Sequence, residues 1–159
     1  MLTNYQLLYI TNNHICTEDY LNGIYSLDNI PSYVNKFPSF FIANNKPESH
    51  PGEHWFGCFF PSKAKPAEMF CSLGNRPESY LKELDEILRA NSNGSYVYNK
   101  VQVQSSKSKT CGYFVLYYID RRCRGLSFEN CMATFNGKTW DENEEIVMSY
   151  VKRHIMNGE

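Results

Sequence analysis

The stretch that most restricts what this chain can become runs from Gln104 to Gly125, QSSKSKTCGYFVLYYIDRRCRG. A polar loop of small residues ends at Cys111-Gly112. Seven apolar residues follow, Tyr113 to Ile119, and the run stops in Arg121, Arg122 and Arg124 before Gly125. Basic residues in a last turn followed by glycine are helix stop signals, so the pattern predicts a helix rather than an interior strand. A helix apolar on nearly every side belongs in the middle of a domain. If it starts near Cys111, the thiol sits at the positive end of the helix dipole among unpaired N–H groups, which favours the thiolate, the nucleophile of a cysteine hydrolase. The competing explanation is a small core residue, since free cysteines are among the most buried residue types. On this stretch alone both stand.

A chain of 159 residues fits one domain over 1–159 with a sizeable core. Its formal charge of −1 gives no global reason to bind nucleic acid. Lys107, Lys109 and the three arginines could form a local basic patch, against which stands a solvated helix end. The six cysteines, Cys16, Cys58, Cys71, Cys111, Cys123 and Cys131, contain no CxxC pair. With no signal-peptide core, they point to a reducing compartment, and their spacing is not that of a zinc site. No apolar run approaches the roughly 20 residues that cross a bilayer, so no membrane association is expected, and no metal or cofactor.

Along the chain, a first helix is expected from Thr3 to Asn13, with Thr3 as its cap and His14 on the surface beyond it. A loop-rich passage packs Leu21, Ile24, Tyr25 and Leu27 on the core. Phe40 to Ala43 and His54 to Phe60 read as strands, the second halted by Pro61. Glu68 to Ser72 reads as a third, joined to the second by so short a turn that the two form a hairpin, which sets residue 71 beside His54. Pro77 opens a helix to about Ala90. Tyr96 to Val103 is a fourth strand, Leu126 to Phe135 holds a short helix, and Asp141 with Glu144 signals the start of a last one.

Together, the order is a His-Trp at a strand start, a Phe-x-Ser-Leu-Gly at the next strand's end, a Gln seven residues before Cys-Gly, and an apolar helix. This constellation resembles the adenovirus-type processing cysteine proteases, as found in adenoviruses and virus-like DNA transposons, and more loosely the ubiquitin-like-modifier proteases of the same superfamily. The resemblance covers roughly residues 20 to 130. It implies an α+β domain of the broad papain-like class, with a small mixed sheet packed on a central helix that starts at the catalytic cysteine. Cys111 would be the nucleophile, His54 its general base, and Gln104 the side-chain donor to the oxyanion, a contribution worth about 2.7–4 kcal/mol in other enzymes. Gln102 is the runner-up for that donor. Trp55 and Gly112 would line the cleft that accepts small residues, usually glycine, before the scissile bond.

Cys71 departs from the family, which carries an acidic residue there. A neutral thiol is a weak acceptor and would orient His54 and stabilise its charged form less well. Three explanations compete: a replacement that weakens the enzyme, with another acceptor helping; Glu68 or a backbone carbonyl orienting His54 instead; or a partly ionised Cys71. The implied substrates are capsid or core protein precursors, cleaved inside the host cell, in nucleus or cytoplasm, and in the virion. An activating peptide is conceivable, but Asn91 to Ser95, where the adenoviral disulfide tether would attach, has no cysteine, and the net charge lends DNA activation little support. A modifier protease would bring a second tryptophan from upstream of Trp55, and this chain has only Trp140 besides. A pseudo-protease kept as a binding module is the third reading. Monomer is the default state.

Overall fold

The computed structural model describes residues 1–49 and 52–156. Helix α1 (Asn4–Asn12) is closed by a full capping box, in which Thr3 and Gln6 satisfy each other's backbone N–H groups. After the short α2 (Ile15–Glu18) come β1 (Leu21–Tyr25), β2 (Ser39–Asn44), β3 (Trp55–Phe60) and β4 (Ala67–Phe70). Then follow α3 (Pro77–Tyr80), α4 (Leu84–Ala90), β5 (Tyr96–Tyr98), α5 (Cys111–Cys123), α6 (Phe128–Ala133) and α7 (Trp140–Val151).

The strands form one sheet in the order β1-β2-β3-β4-β5, antiparallel at its centre and parallel at both edges. Side chains alternate between its faces. Phe40, Ile42, Trp55, Phe59 and Phe70 point to one face, where they pack with α5 and with Val147 and Val151 of α7. Phe41, Ala43, Phe56, Cys58, Met69 and Cys71 point to the other and meet Leu84 and Leu88 of α4. Burial on both faces explains why β2 and β3 are apolar at nearly every position.

Helix α5 lies along β3 and runs in the same direction. A Cβ built on Gly57 would stand 3.1 Å from Val115 Cγ1 and 3.5 Å from Ile119 Cδ1, so the glycine lets helix and strand approach closely. One turn before Val115, the first residue of α5 therefore reaches the first residue of β3. Further along, the Arg122 guanidinium lies over the Phe59 ring. Gly125, with φ +97, supplies the left-handed conformation that ends the helix.

Several expectations need correcting. Leu21 to Tyr25 is a strand, half-buried throughout, rather than part of a loop. The helix from Pro77 is broken at Leu81, which is extended (φ −145°, ψ 124°), and this turns the Tyr80 ring onto Phe56 at 5.0 Å. The fourth strand stops at Tyr98, and Val101 is exposed. The last helix is capped by Thr139 with Glu142, not by Asp141 with Glu144. His14 is buried, its Nε2 3.4 Å from the equally buried Asp120. The arginines form no basic patch, and the solvated helix end holds for the exposed Arg124 but not for Arg121 and Arg122. Arg122 pairs with the buried Glu68 at 2.6 Å, Arg124 with Asp120 at 3.1 Å, and Arg121 lies over the Tyr150 ring. Among the described residues no helix is long and apolar enough to cross a membrane.

Candidate active site

Cys111 is the first residue of α5, and its sulfur accepts the backbone N–H of Trp55 at 3.4 Å. The loop before it is tied down from α7, since Ser108 and Thr110 both donate to Glu144 Oε1, the latter at 2.7 Å. Those two hydroxyls hold the Glu144 carboxyl below its ordinary pKa. Cys111 is buried, and burial raises its thiol pKa although the N–H groups of Trp55, Gly112 and Cys111 itself act in the opposite direction. The thiolate expected from the helix dipole is thus not the resting form, because desolvation outweighs three amide donors.

His54 stands immediately before β3, with its backbone N–H donating to Asn45 Oδ1 at 3.0 Å. Its ring is buried, and burial lowers its pKa to about 4. Ring nitrogen Nε2 lies 3.4 Å from Cys71 Sγ. The structure therefore brings His54 and Cys71 together, as the hairpin requires. Among the described residues no hydrogen bond joins His54 to Cys111. What links them is the Trp55 peptide, which follows His54 and donates its N–H to the Cys111 sulfur.

Glu68, weighed as a substitute partner for His54, is on the opposite face of the sheet, where it accepts from Tyr118 and Arg122. Tyr80 was not legible as a site residue: its hydroxyl is 3.0 Å from Cys71 Sγ, and its ring faces that of His54 at 6.2 Å. Asn99 also enters unannounced, its Oδ1 accepting the Cys71 backbone N–H at 2.9 Å. No local pattern marks either. They arrive from elements distant in sequence.

Gln104 is buried, and its Oε1 accepts from the Ser72 hydroxyl while Nε2 donates to the Ser108 carbonyl at 3.2 Å. The Ser72 carbonyl accepts the backbone N–H groups of both Val103 and Gln104. The turn carrying Cys71 thus also holds Gln104, and the serine of the Phe-x-Ser-Leu-Gly motif is the joint. Gln102 donates its own amide to the Gln104 carbonyl at 2.8 Å.

Trp55 is a core residue, 2% exposed. Its indole N–H donates to the Leu2 carbonyl at 2.8 Å. Leu2 also covers Gly112, where a Cβ would come within 3.0 Å of Leu2 Cδ1. Beside them a cavity of about 580 Å³ is lined by Leu2, Tyr5, Leu8, Ile24, Asn44 and Trp55, among others.

No protein-family model matches the chain, and no curated protein matches its sequence. Among solved structures it is similar to the ASFV pS273R protease, with a TM-score of 0.64 over 98% of this chain and 67% of that one, at 17% identity. A second crystal structure of that protease, in its Se-Met form, aligns at TM-score 0.48 and 21% identity over 73% of this chain and 43% of that one. The likeness is one of fold, and the fold is the mixed α+β, papain-like arrangement that the resemblance implied.

Proposed function

We propose that this chain is a cysteine endopeptidase of the adenovirus type, which processes structural-protein precursors of a DNA virus or virus-like element at glycine-containing sites. One observation carries it: the Cys111 sulfur, at the start of the central helix, rests on the peptide that follows the buried His54, within the fold of a protease.

Nε2 of His54 faces Cys71, so Nδ1 is the nitrogen left to accept the Cys111 proton. Since burial disfavours both charged forms, proton transfer accompanies attack of sulfur on the substrate carbonyl rather than preceding it. The developing oxyanion is met by the Cys111 N–H and by Nε2 of Gln104. His54 then returns the proton to the leaving amine, and water hydrolyses the thioester. A neutral resting pair beside a thiol supports the slower enzyme that Cys71 implies.

The preference for small residues before the scissile bond rests on the resemblance alone, because Gly112 lies under Leu2. Six free cysteines support action in a reducing compartment, inside the host cell and then in the virion. The resemblance also carries the monomeric state and the possibility of an untethered activating peptide. In the test, Cys111→Ala and His54→Ala each abolish cleavage of a precursor peptide with a glycine-containing site while circular dichroism stays native. Retained turnover in Cys111→Ala overturns the reading, and efficient cleavage of a ubiquitin-like modifier's Gly-Gly tail moves the assignment to the modifier proteases.

A further inference from the structure

A carboxylate beside a catalytic histidine has only acceptor atoms, so the facing ring nitrogen must carry hydrogen. A thiol imposes no such choice. Its S–H can donate to His54 Nε2, which places the ring hydrogen on Nδ1 and leaves that nitrogen unable to act as a base. Alternatively the sulfur accepts from Nε2–H, provided the thiol hydrogen has another acceptor. The geometry around Cys71 supplies one.

The Tyr80 oxygen lies 3.0 Å from Cys71 Sγ, and Asn75 Nδ2 donates to the same oxygen at 2.9 Å. A phenol oxygen has two lone pairs and one hydrogen. The Asn75 amide occupies one lone pair, and the oxygen can meet the sulfur through its second lone pair or through its own hydrogen. The only other side-chain atom within hydrogen-bond distance of the sulfur among the described residues is His54 Nε2. Among the described residues, Tyr80 and His54 are thus the competing acceptors for the thiol hydrogen. Burial pushes the Cys71 thiol and the Tyr80 phenol up, so both keep their protons at neutral pH. The Tyr80 ring is held independently, stacked on Phe56 with an angle of 2° between the planes.

We propose that Tyr80, fixed by Asn75, is a positioning residue that accepts the Cys71 thiol hydrogen, so that Cys71 accepts from His54 Nε2–H and Nδ1 is kept free to act as the base. The inference rests on the peptidase reading for its catalytic consequence, but not for its structural one. It accounts for a thiol at the position of a carboxylate, since thiol and phenol together present to the histidine the acceptor that either acid oxygen would.

The test reads the tautomer directly, from long-range proton–nitrogen correlation spectra of the imidazoles of the full chain at neutral pH, with the His54 signals identified by their loss in His54→Gln. Wild type shows hydrogen on Nε2. Tyr80→Phe keeps the stacked ring but removes the acceptor, and the hydrogen shifts to Nδ1. Adding Cys71→Asp to Tyr80→Phe returns it to Nε2, since a carboxylate needs no help. In peptide hydrolysis, Tyr80→Phe lowers kcat by about tenfold, the effect of one net hydrogen bond, with KM unchanged, and costs nothing further in the Cys71→Asp background. A wild-type His54 with hydrogen on Nδ1, an unchanged tautomer in Tyr80→Phe, or an equal loss of kcat in both backgrounds overturns the proposal. If the tautomer moves as stated but wild type cleaves no peptide, the positioning role stands and the peptidase reading fails.

Discussion

Acid should undo this fold in part through one histidine. His54 is buried beside a neutral sulfur, with no carboxylate among the described residues paired to it, and its pKa is lowered to about 4. In the unfolded chain it titrates at about 6.5. Between those values the unfolded chain holds a proton on His54 that the folded chain does not, so stability rises with pH. The contribution is complete above about 6.5 and is lost as pH falls toward 4. At 1.36 kcal/mol per pKa unit the whole difference is about 3 kcal/mol, a large part of the roughly 5–15 kcal/mol that holds a domain together. The assay is urea unfolding of wild type and His54→Gln at pH 7 and pH 4.5. Carboxylates titrate in both proteins and cancel in the comparison, leaving wild type to lose about 2–3 kcal/mol more than the variant. Cys71→Asp supplies the missing negative charge, raises the His54 pKa and shrinks that excess loss. Equal acid losses in wild type and His54→Gln refute the reasoning, as does a His54 resonance that titrates near 6.5.

Three further perturbations probe the frame around the site. Gly57→Val drives a side chain into Val115 and Ile119 and should destabilise by about 1–3 kcal/mol, measured by chemical denaturation, with peptidase activity falling as α5 lifts from β3. Arg122→Met leaves Glu68 buried without its cation and should cost about 3–5 kcal/mol, and adding Glu68→Gln should recover most of it; a loss that the second change does not relieve shows the pair to be packing rather than charge. Gly112→Ala displaces Leu2 and uncovers Trp55, and in a Trp140→Phe background its emission should move to longer wavelength while the unfolding midpoint changes little.

The parts of this fold that depend on neighbours along the chain were legible in its residues. The Thr3 cap, the apolar runs of β2 and β3, and the helix bounded by Cys111 and Gly125 each carry their own signal. The pairing of residue 71 with His54 followed from a turn too short to allow anything but a hairpin. What escaped depends on distant contacts. Leu21 to Tyr25 contains Asn-Gly, a turn signal, yet becomes a strand because the edge of β2 is there to receive it. Helical periodicity continues through Leu81, but the break there serves Tyr80, whose ring is wanted over Phe56 and His54. His14 and Arg122 looked like surface because their carboxylate partners, Asp120 and Glu68, stood in or opposite a helix that looked apolar on nearly every side. The thiolate at Cys111 was overestimated for a related reason: a helix terminus is visible in sequence, and the depth of its burial is not.

Leu2 gives the site an order of events. During synthesis the segment that caps the Trp55 indole leaves the ribosome early. Gly112, the surface on which it settles, and the cysteine beside it emerge only after the whole sheet has been made. The indole and the glycine are therefore covered by a segment that has to wait, unburied, until both the sheet and the start of α5 have been made.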